Sequence, residues 1–458
     1  MRVFSVVVFY ALLSASIFAP SADAAPLQRD ADPVVLSGQD LGSLIGTETG
    51  RIVGFRYENG WVQIPIQIDQ RKEVDFGTVY NTQMTGLTTI AYADPETFCG
   101  DDPDPDFDSD DELVFMTTDV GPDVDASGYP NNVLPGSGLQ VYLVDPLDGG
   151  EGNIYLFVSD GTGALSPDAG QDYVKYEFHL LAGNYQQNYN LGDGYNPEKS
   201  LVATGAYSTF FTDRWIREEI RVQAEGANDV DILDRQKIMF APGNCERTET
   251  TFSKGEGAFF ANIDGPVRAI RSYLGANSGI YTQRDHRFYR RREDVTTTLR
   301  VHPIPGNTDL FDYSPAATGM RYFNDFNATG FGAVIDGYPD SVFQGPIQWE
   351  LVTGSSQGSL VMVHRVSTDI PGFNYTAYYS DNSWNPPTQC TGDAYEYGTS
   401  GPQITQEIPN TDPQLSDPVY HLRSDRVIYY EGPDKTVADA ETRHGQATTP
   451  LEIKIRPF

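Results

Sequence analysis

Two stretches of this sequence carry residues that could do chemistry, and the first is an acidic run between positions 101 and 112. Eight of its twelve residues are carboxylates, and an apolar run begins at Leu113 directly after it. Carboxylates this dense repel one another, which favours an extended, hydrated loop. A short turn can instead aim them at one point, where a hard cation such as calcium takes about six to eight oxygens. The spacing therefore predicts a calcium site with the candidate ligands Asp104, Asp106, Asp108, Asp110, Asp111 and Glu112.

The spacing of these acids differs from that of an EF-hand. An EF-hand that began at Asp104 would need glycine at its sixth position and glutamate at its twelfth, whereas Ser109 and Phe115 occupy those positions. A looser aspartate-rich turn before a strand fits better, with further ligands from Asp69 or Asp119. The alternative is a solvated acidic loop without a metal, because charge runs are usually surface features.

The second stretch, from Arg284 to Asp294, is the densest basic segment, with five arginines and one histidine against three acids. Alternate residues of a strand share a face, so Arg284 and His286 would lie together with Arg290 and Arg292. An arginine can hold a carboxylate through two charge-assisted hydrogen bonds, and a histidine can carry a proton. Such a face suits an acidic sugar, or a lyase that neutralises a carboxylate before a proton leaves the neighbouring carbon. The predicted catalytic residues are Arg284, His286, Tyr289 and Arg290.

This basic stretch has a structural alternative. The chain carries a net charge of −33, so acids on neighbouring strands could pair with these arginines, an arrangement that contributes only ~0–1 kcal/mol at a surface. A run this long is also expected to contain a break. A G-x-S-x-G match at Gly354 to Gly358 predicts a hairpin turn, because strand-like residues follow it where a nucleophile elbow needs a helix.

Composition limits the location and the classes of partner. Arg2, an apolar run from Phe4 to Phe18 and an A-x-A pattern that ends at Ala24 predict a secretory signal peptide, cleaved near Ala24. The net charge of −33 argues against nucleic acid and anionic membranes as partners. It also argues against polyanionic substrates, unless a local basic surface or a bound cation intervenes. We expect a secreted, extracellular protein that does not insert into a membrane.

Segments of strand length, separated by turn residues, dominate the rest of the sequence. Arg51 to Tyr57 and Trp61 to Asp69 flank Glu58-Asn59-Gly60, which predicts a hairpin, and Pro65 predicts an edge strand or a bulge. Similar segments recur along the chain, punctuated by 44 Gly and 30 Pro. The predicted fold class is all-β, an antiparallel β-sandwich or stacked sandwiches with long loops and few helices. The best candidate for a helix is Phe210 to Val222.

The order of these segments predicts two domains. Residues 183–200, rich in Asn, Gly and Tyr, are the candidate linker, and Ala25 to Pro33 is predicted to be a flexible leader. The predicted division is a signal peptide at 1–24, an N-terminal β-sandwich domain with the acidic loop at 25–190, and a C-terminal β-sandwich domain at 191–458. Cys99, Cys245 and Cys390 allow one disulfide, and the three pairings stay open.

Residues Ile64 to Asp69, followed by the aspartate cluster that leads into Asp111-Glu-Leu-Val-Phe, carry a resemblance to a known group. They resemble the N-terminal portion of secreted β-sandwich proteins associated with polysaccharide degradation, including rhamnogalacturonan-lyase-like and supersandwich proteins. This chain lacks the D-G-D-G turn of that group and has a long insertion between Asp69 and Asp101. The resemblance implies a supersandwich-like fold and a carbohydrate ligand, and no catalytic residue of the group can be matched onto this chain.

These features predict a secreted, calcium-binding β-sandwich protein that binds or cleaves polysaccharide. If it is an enzyme, we expect a polysaccharide lyase or another carbohydrate-active enzyme. The alternative is a non-catalytic extracellular protein, a surface, adhesive or filament-forming component that calcium stabilises. The expected partner is polysaccharide or another extracellular matrix component, with self-association as a further option and without nucleic acid.

Overall fold

The computed structural model describes residues 25–79, 85–124, 128–182, 196–255, 257–277, 279–385, 390–391 and 397–458. Most of the regular structure in these ranges is strand, and neighbouring strands of each sheet run antiparallel. This confirms the predicted all-β fold class. The predicted signal peptide and most of the candidate linker lie outside the described residues.

The strands of the first part of the chain are β1 (Pro33–Ser37), β2 (Ile52–Tyr57), β3 (Trp61–Ile64), β4 (Gln67–Asp69), β5 (Arg71–Asp75), β6 (Thr88–Tyr92), β7 (Glu112–Met116), β8 (Leu139–Val144) and β9 (Glu151–Val158). The middle part contains β10 (Val174–Glu177), β11 (Ser200–Thr204), β12 (Tyr207–Asp213), β13 (Ile216–Val222), β14 (Leu233–Phe240), β15 (Ala258–Ile263), β16 (Ala269–Leu274), β17 (Gln283–Phe288) and β18 (Arg292–Thr298). The last part contains β19 (Asn307–Tyr313), β20 (Arg321–Asn324), β21 (Ala333–Val334), β22 (Trp349–Thr353), β23 (Ser359–Thr368), β24 (Thr376–Ser380), β25 (Thr399–Ile404), β26 (Leu422–Glu431) and β27 (Glu452–Pro457).

Three α-helices lie in the described ranges: α1 (Phe76–Val79), α2 (Glu249–Ser253) and α3 (Val437–Thr448). Single 3-10 turns occur at Thr49–Arg51, Thr117–Asp119, Ala224–Gly226 and Pro315–Ala317. Helix α3 begins with a capping box in which Thr436 and Asp439 satisfy each other's backbone N–H groups. Sequence reasoning missed this helix, although the T-x-x-D spacing of its cap was visible. No helix of the described chain has the length and apolar character needed to cross a bilayer.

The first sandwich packs a five-stranded sheet, in the order β27-β8-β9-β2-β3, against a three-stranded sheet, in the order β1-β7-β4. Its core includes Ile52, Leu113 and Leu156, all buried. Strands β2 and β3 form the hairpin predicted at Glu58-Asn59-Gly60. Strand β3 ends before Pro65, and β4 joins the other sheet, so both flanking strands are edge strands, as this proline predicted.

The second sandwich is built on a nine-stranded sheet, in the order β15-β16-β17-β18-β26-β23-β22-β20-β21. Its inner face packs against two four-stranded sheets, β10-β11-β12-β13 and β14-β19-β25-β24. The buried core between them includes Phe211, Phe288, Phe311 and Tyr430. Phe210 to Val222, the best helical candidate from sequence, is the β12–β13 hairpin of this layer. The turn predicted at Gly354 to Gly358 joins β22 to β23.

The outer face of the nine-stranded sheet is covered at both ends. Ala440 of α3 packs on Val361 and Tyr429. At the other end, the two-stranded sheet β5–β6 and α1 pack on β15 and β16, with Phe76 against Phe260 in a small buried cluster. The part of the outer face between these two covers is formed by β17, β18 and the first half of β26, and it carries polar residues.

Residues 25–33, predicted to be a flexible leader, are instead tied to three parts of the molecule, so that prediction was wrong. Arg29 is buried and pairs with Asp145 at 2.7 Å. Asp30 pairs with Arg443 of α3 at 2.9 Å, and Asp32 pairs with Arg292 of β18 at 2.8 Å. The sequence alone does not reveal that Asp30 and Asp32 have basic partners, because these pairs join residues hundreds of positions apart.

Two further features bear on the predicted organisation. Cys245 and Cys390 form the disulfide, and Cys99 is free and buried. Strand β27, which falls in the predicted C-terminal domain, pairs with β8 in the first sandwich. The division at residue 190 stays a prediction, and β27 is a strand from the C-terminal side of it that completes a sheet on the N-terminal side.

Candidate ligand-binding pocket

The structure brings Arg284 and His286 together on the inner face of β17. Arg284 is 3% exposed and pairs with Asp309 of β19, and His286 is 1% exposed. Both side chains therefore lie between the sheets, where a substrate in solvent does not reach them. The pairing of Arg284 matches the structural alternative that the acidic composition suggested.

His286 belongs to a buried polar cluster centred on Glu293 of β18. Glu293 accepts hydrogen bonds from Arg217, from His286 Nδ1 at 2.8 Å and from the Tyr430 hydroxyl at 2.7 Å. Burial alone would raise the pKa of Glu293, but Arg217 and His286 hold it at about 2. Burial lowers the pKa of His286 to about 3, so the imidazole is neutral at physiological pH. Its Nε2 lies 3.1 Å from the Tyr273 hydroxyl, which fits an acceptor role for this nitrogen.

Tyr289 and Arg290 lie in the turn between β17 and β18, which is the break expected in the basic run. Tyr289 is 1% exposed, and its hydroxyl accepts a hydrogen bond from Arg268 at 3.3 Å. Arg290 is partly exposed, with its guanidinium 5.7 Å from the centre of the Tyr173 ring. The turn changes the phase of the strand, so Arg292 lies on the outer face and not beside Arg284. A catalytic role for Arg284, His286, Tyr289 and Arg290 stays a prediction.

The acidic loop folds as a series of tight turns in which carboxylates accept backbone N–H groups. Asp108 accepts from the N–H of Asp110 at 2.9 Å, and Asp104 accepts from that of Asp106 at 3.3 Å. Asp111 is buried and accepts from the N–H groups of Asp108 and Arg71 at 3.0 and 2.9 Å. Burial raises the pKa of Asp111 to about 6, and the nearby Asp108 adds to this.

In these turns the aspartate side chains bind nearby backbone N–H groups and do not converge on one point. Among the described residues, no group of three or more His, Cys, Asp or Glu side chains has the geometry to hold a metal ion. Burial and then the neighbouring Asp108 raise the pKa of Asp110 to about 6, so the loop concentrates negative charge that a cation would relieve. The calcium site stays a prediction for Asp104, Asp106, Asp108, Asp110 and Asp111.

Glu112, the last predicted ligand, points away from the loop. Its Oε1 accepts from Arg71 at 2.6 Å, and its Oε2 accepts from Arg268 at 2.5 Å and from the Tyr92 hydroxyl at 3.0 Å. Burial would raise the pKa of Glu112, but Arg268 and Arg71 hold it at about 2. Asp69, a further candidate ligand, also pairs with Arg268, at 2.7 Å. Glu112 and Arg71 therefore connect the acidic loop to the surface beside β6.

A polar pocket opens at this surface, where the β5–β6 hairpin overhangs the outer face of β17 and β18. Its volume is about 220 Å³, below the roughly 300–1,000 Å³ of most small-molecule pockets, so it suits a ligand the size of one sugar ring. The lining is mostly polar, with four arginines against two carboxylates. The lining residues are Arg71, Thr89, Ile90, Ala91, Tyr92, Glu112, Gln283, Asp285, Arg287, Thr296, Thr298, Arg300 and Arg423.

Arg287 is one of two pocket arginines that have no carboxylate partner within the described ranges. It donates to the Thr296 hydroxyl at 2.6 Å, while its buried Nε has no hydrogen-bond partner. Tyr92, at the opposite wall, stays neutral, because burial raises the pKa of its hydroxyl far above the usual range. A buried guanidinium N–H without an acceptor is unfavourable, so the described chain leaves part of the hydrogen-bonding capacity of Arg287 unused.

Arg300 is the second such arginine. It donates to the Tyr281 carbonyl at 3.0 Å and lies over the Phe76 ring at 5.3 Å. Burial lowers the pKa of this guanidinium, which shows that the pocket removes water from it without supplying a full counter-charge. The other two pocket arginines are neutralised, Arg71 by Glu112 and Arg423 by Asp425.

The sequence predicted a site on the face of β17 that carries Arg284 and His286, which is buried, whereas the pocket lies on the face that carries Asp285 and Arg287. Asp285 and Arg287 alternate with Arg284 and His286 along β17, so the odd-numbered positions were available as a second face. Arg300 had no distinguishing signal, and the β5–β6 hairpin that completes the pocket lies far away in sequence. Only the fold brings these groups together.

Comparison with known proteins gives no close relative. No family model matches the sequence, and no curated protein matches it. Among solved structures, an Escherichia coli K12 protein provisionally assigned as an aldose 1-epimerase matches with a TM-score of 0.29 and 11% identity, over 56% of this chain and 99% of that one. The 4-alpha-glucanotransferase of Thermococcus litoralis matches with a TM-score of 0.26 and 9% identity, over 56% of this chain and 39% of that one. With TM-scores this low, function has to be inferred from the residues of this chain.

Proposed function

We propose that this protein binds an acidic polysaccharide, and that the pocket under the β5–β6 hairpin holds one carboxylated sugar of that chain. The observation that carries the proposal is the presence of Arg287 and Arg300, two guanidiniums without a carboxylate partner in the described structure, in one pocket of about 220 Å³. In a chain with a net charge of −33, acids are abundant, yet among the described residues none forms an ion pair with either group. Burial would lower the pKa of Arg287, but surrounding groups that include Asp294 and Asp285 raise it from farther away. A ligand carboxylate would supply the direct partner that both guanidiniums lack.

The chemistry of the lining suits a sugar acid better than a phosphate or a metal. A planar carboxylate can take two parallel N–H bonds from the fork of Arg287. The hydroxyl groups of Thr298 and Tyr92 and the carboxylate of Asp285 stand on the other walls, where they can exchange hydrogen bonds with ring hydroxyls. The motif Ile64 to Asp69 and the acidic turn after it, which resemble secreted polysaccharide-degrading proteins, point to the same class of ligand.

The pocket supports binding more directly than cleavage. A general base works best with a pKa near the operating pH, whereas the pKa of Glu112 is held at about 2 and Tyr92 stays protonated. No histidine lines the described pocket. We therefore propose a carbohydrate-binding role, with a lyase activity as the finer hypothesis that the same experiment can detect.

Export and calcium belong to the same proposal. The signal-peptide pattern at residues 1–24 supports secretion, where acidic polysaccharides of cell surfaces and matrices are the accessible ligands. Calcium in the aspartate loop would lie next to Arg71, whose backbone N–H contacts Asp111 and whose guanidinium contacts Glu112 in the pocket. A filled loop would thereby hold one wall of the pocket in place.

The experiment is a titration calorimetry series with oligosaccharides of galacturonic, glucuronic, mannuronic and guluronic acid, and with their methyl esters. We expect one of the acids to bind and its ester, which lacks the charge, to bind far more weakly. The variant Arg287→Gln should lose two charge-assisted bonds, on the order of 3 kcal/mol or more than a hundredfold in affinity.

A matched control removes an arginine elsewhere. Arg456 of β27 is 61% exposed and lies in the first sandwich, so Arg456→Gln also lowers the positive charge by one and should leave binding unchanged. Equal affinity of the acid and its ester, or wild-type affinity in Arg287→Gln, would overturn the proposal. Release of an unsaturated sugar during the titration, seen as ultraviolet absorbance, would identify a lyase.

A further inference from the structure

Five exposed aromatic side chains lie at one edge of the nine-stranded sheet, far along the sheet from the pocket strands. In the described chain six aromatic residues are exposed, and all except Tyr129 belong to the loops around β20, β21 and β24. They include two ring pairs, Phe326 with Phe343 and Tyr338 with Trp384, and soluble proteins rarely leave paired apolar groups in water unless a partner covers them. The five are Phe326 (42% exposed), Phe331 (83%), Tyr338 (58%), Phe343 (63%) and Trp384 (75%).

Two of these rings, Tyr338 and Trp384, have centres that lie 5.9 Å apart. They stand on two loops that hydrogen bonds lock together. Ser383 donates its N–H and its hydroxyl to the Gly337 carbonyl, at 2.8 and 2.9 Å. The buried Asp381 accepts from the N–H groups of Asp336 at 2.9 Å and of Gly337. The two loops that carry the rings are therefore fixed relative to each other, which lowers the entropy cost of binding.

Glycine is required at position 337 for this arrangement. Its φ is +82°, and a Cβ there would lie 2.7 Å from the Ser383 hydroxyl. The close approach that brings Tyr338 beside Trp384 thus depends on the absence of a side chain between them.

Carboxylates without cationic partners flank the rings. Asp336 accepts the N–H of Tyr338 at 2.9 Å, and Asp340 accepts that of Val334 at 2.7 Å. Within the described ranges neither forms an ion pair with a lysine or arginine. Burial raises the pKa of Asp381 to about 6, and the charge of Asp336 adds to this. A cation is the ligand that both the π faces and these carboxylates attract.

A neighbouring pair in the same loops shows that a guanidinium fits this surface. Arg321 of β20 lies over the ring of Phe331, 5.7 Å from its centre. This arginine occupies Phe331 alone, and Tyr338 and Trp384 have no such cation in the described structure. We propose that Tyr338, Trp384, Asp336 and Asp340 form a docking surface for an arginine- or lysine-bearing segment of a basic partner protein.

The charge of the surface disfavours an anionic membrane and an acidic protein, and a neutral sugar chain fits it less well than a cationic segment does. An anionic membrane and an acidic protein would be repelled by the carboxylates. A neutral sugar chain could lie on the rings, but it would gain no charge attraction from Asp336 and Asp340. The cationic segment uses both features, and for this reason it is the occupant we infer.

The test measures binding of labelled octa-arginine and octa-lysine peptides by fluorescence anisotropy at about 0.15 M salt, which screens distant charges. The other described tryptophans are buried or half-buried, with Trp215 at 3% and Trp349 at 4% exposure, so a shift in emission reports on Trp384. We expect Trp384→Ala to weaken binding about two- to thirty-fold, the range of one cation–π contact. Trp384→Phe should retain most of the affinity.

The control variant is Tyr129→Ala, which removes the exposed aromatic residue outside this surface. Equal weakening by Tyr129→Ala would mean that the peptides contact exposed rings without preference for this surface. Wild-type affinity in Trp384→Ala would mean that they bind through net charge alone, and either result would overturn the proposal. A shift of Trp384 emission on adding a neutral β-glucan, without one on adding octa-arginine, would reassign the surface to sugar. Arg287→Gln should bind the peptides normally, which separates this result from the outcome at the pocket.

Discussion

Replacement of Glu293 by leucine tests the buried cluster that holds His286. Glu293 is fully buried, and it accepts hydrogen bonds from Arg217, His286 and Tyr430, each exposed by 1% or less. Glu293→Leu removes the acceptor for all three donors and keeps an apolar group of similar size. The three donors cannot reach water, so the change should appear in stability.

The magnitude follows from what each donor loses. An unpaired buried charge costs about 3–5 kcal/mol, which is the case of Arg217. A buried neutral donor without an acceptor costs about 1–3 kcal/mol, which applies to His286 and Tyr430, although the three terms overlap because they share one cavity. Since domains are stable by only about 5–15 kcal/mol, we expect Glu293→Leu to lose at least ~3 kcal/mol and to approach the limit of folding.

Urea unfolding followed by near-ultraviolet circular dichroism gives the free energy of unfolding for each variant. The double variant Arg217→Met with Glu293→Leu leaves neither charge of this pair buried without its partner and should recover much of the loss. As a control, Glu219→Leu breaks the pair of Glu219 with Arg221, whose side chains are 38% and 36% exposed, and should change little. A Glu293→Leu protein within ~1 kcal/mol of wild type would refute the description of a water-excluded cluster.

Three further predictions concern pH, calcium and Arg290. The pKa of His286 falls from an ordinary 6.5 to about 3 on folding, so the unfolded chain binds a proton that the folded one does not. The folded state is therefore fully favoured above pH 6.5 and loses stability as the pH falls towards 3. Thermal melts across this pH range should show the loss, and a flat profile would mean that His286 is exposed to solvent. Calcium at a hundredfold excess over Kd should raise the free energy of unfolding by about 2.7 kcal/mol. The gain should be smaller at pH 5 and absent in Asp108→Ala, and identical melts in calcium and in chelator would contradict the predicted site. Arg290→Ala should melt normally, and unchanged glycan binding in this variant would exclude Arg290 from any site.

The fold class was predictable because its signals are local. Glu58-Asn59-Gly60 places the left-handed residues Asn59 and Gly60 at a hairpin turn, and Pro65 marks the point where the chain leaves one sheet for another. Phe210 to Val222 gave an ambiguous signal, since its apolar residues fit a helix as well as two short strands. Pairing of β12 with β11 and with β13 decided the outcome, and such pairing is not visible in a single sequence.

The candidate pocket was less predictable, because its parts come from four separate segments. The basic run at residues 284–294 identified the right strands, and the turn at Tyr289 to Arg291 then changed which arginines share a face. Whether an arginine is free or paired depends on acids far away in sequence, as Asp32 shows for Arg292 and Asp309 for Arg284. The composition shows that carboxylate partners are abundant, but which arginine each one pairs with is known only from the folded structure.

The pairing of β27 with β8 has a consequence for the order in which the molecule can be assembled. Arg456 of β27 donates to Gln140 of β8 across 316 positions of sequence, so the five-stranded sheet stays incomplete until that distant segment has been synthesised. Until then, β8 presents an unpaired backbone edge, which is a template for pairing with another chain. Contacts between such distant segments form slowly, because the entropy cost of closing a long loop comes before the contacts stabilise the sheet. A nascent chain of this protein would therefore profit from a chaperone that shields the edge of β8, and a pulse-labelled chain truncated before residue 452 should remain bound to one.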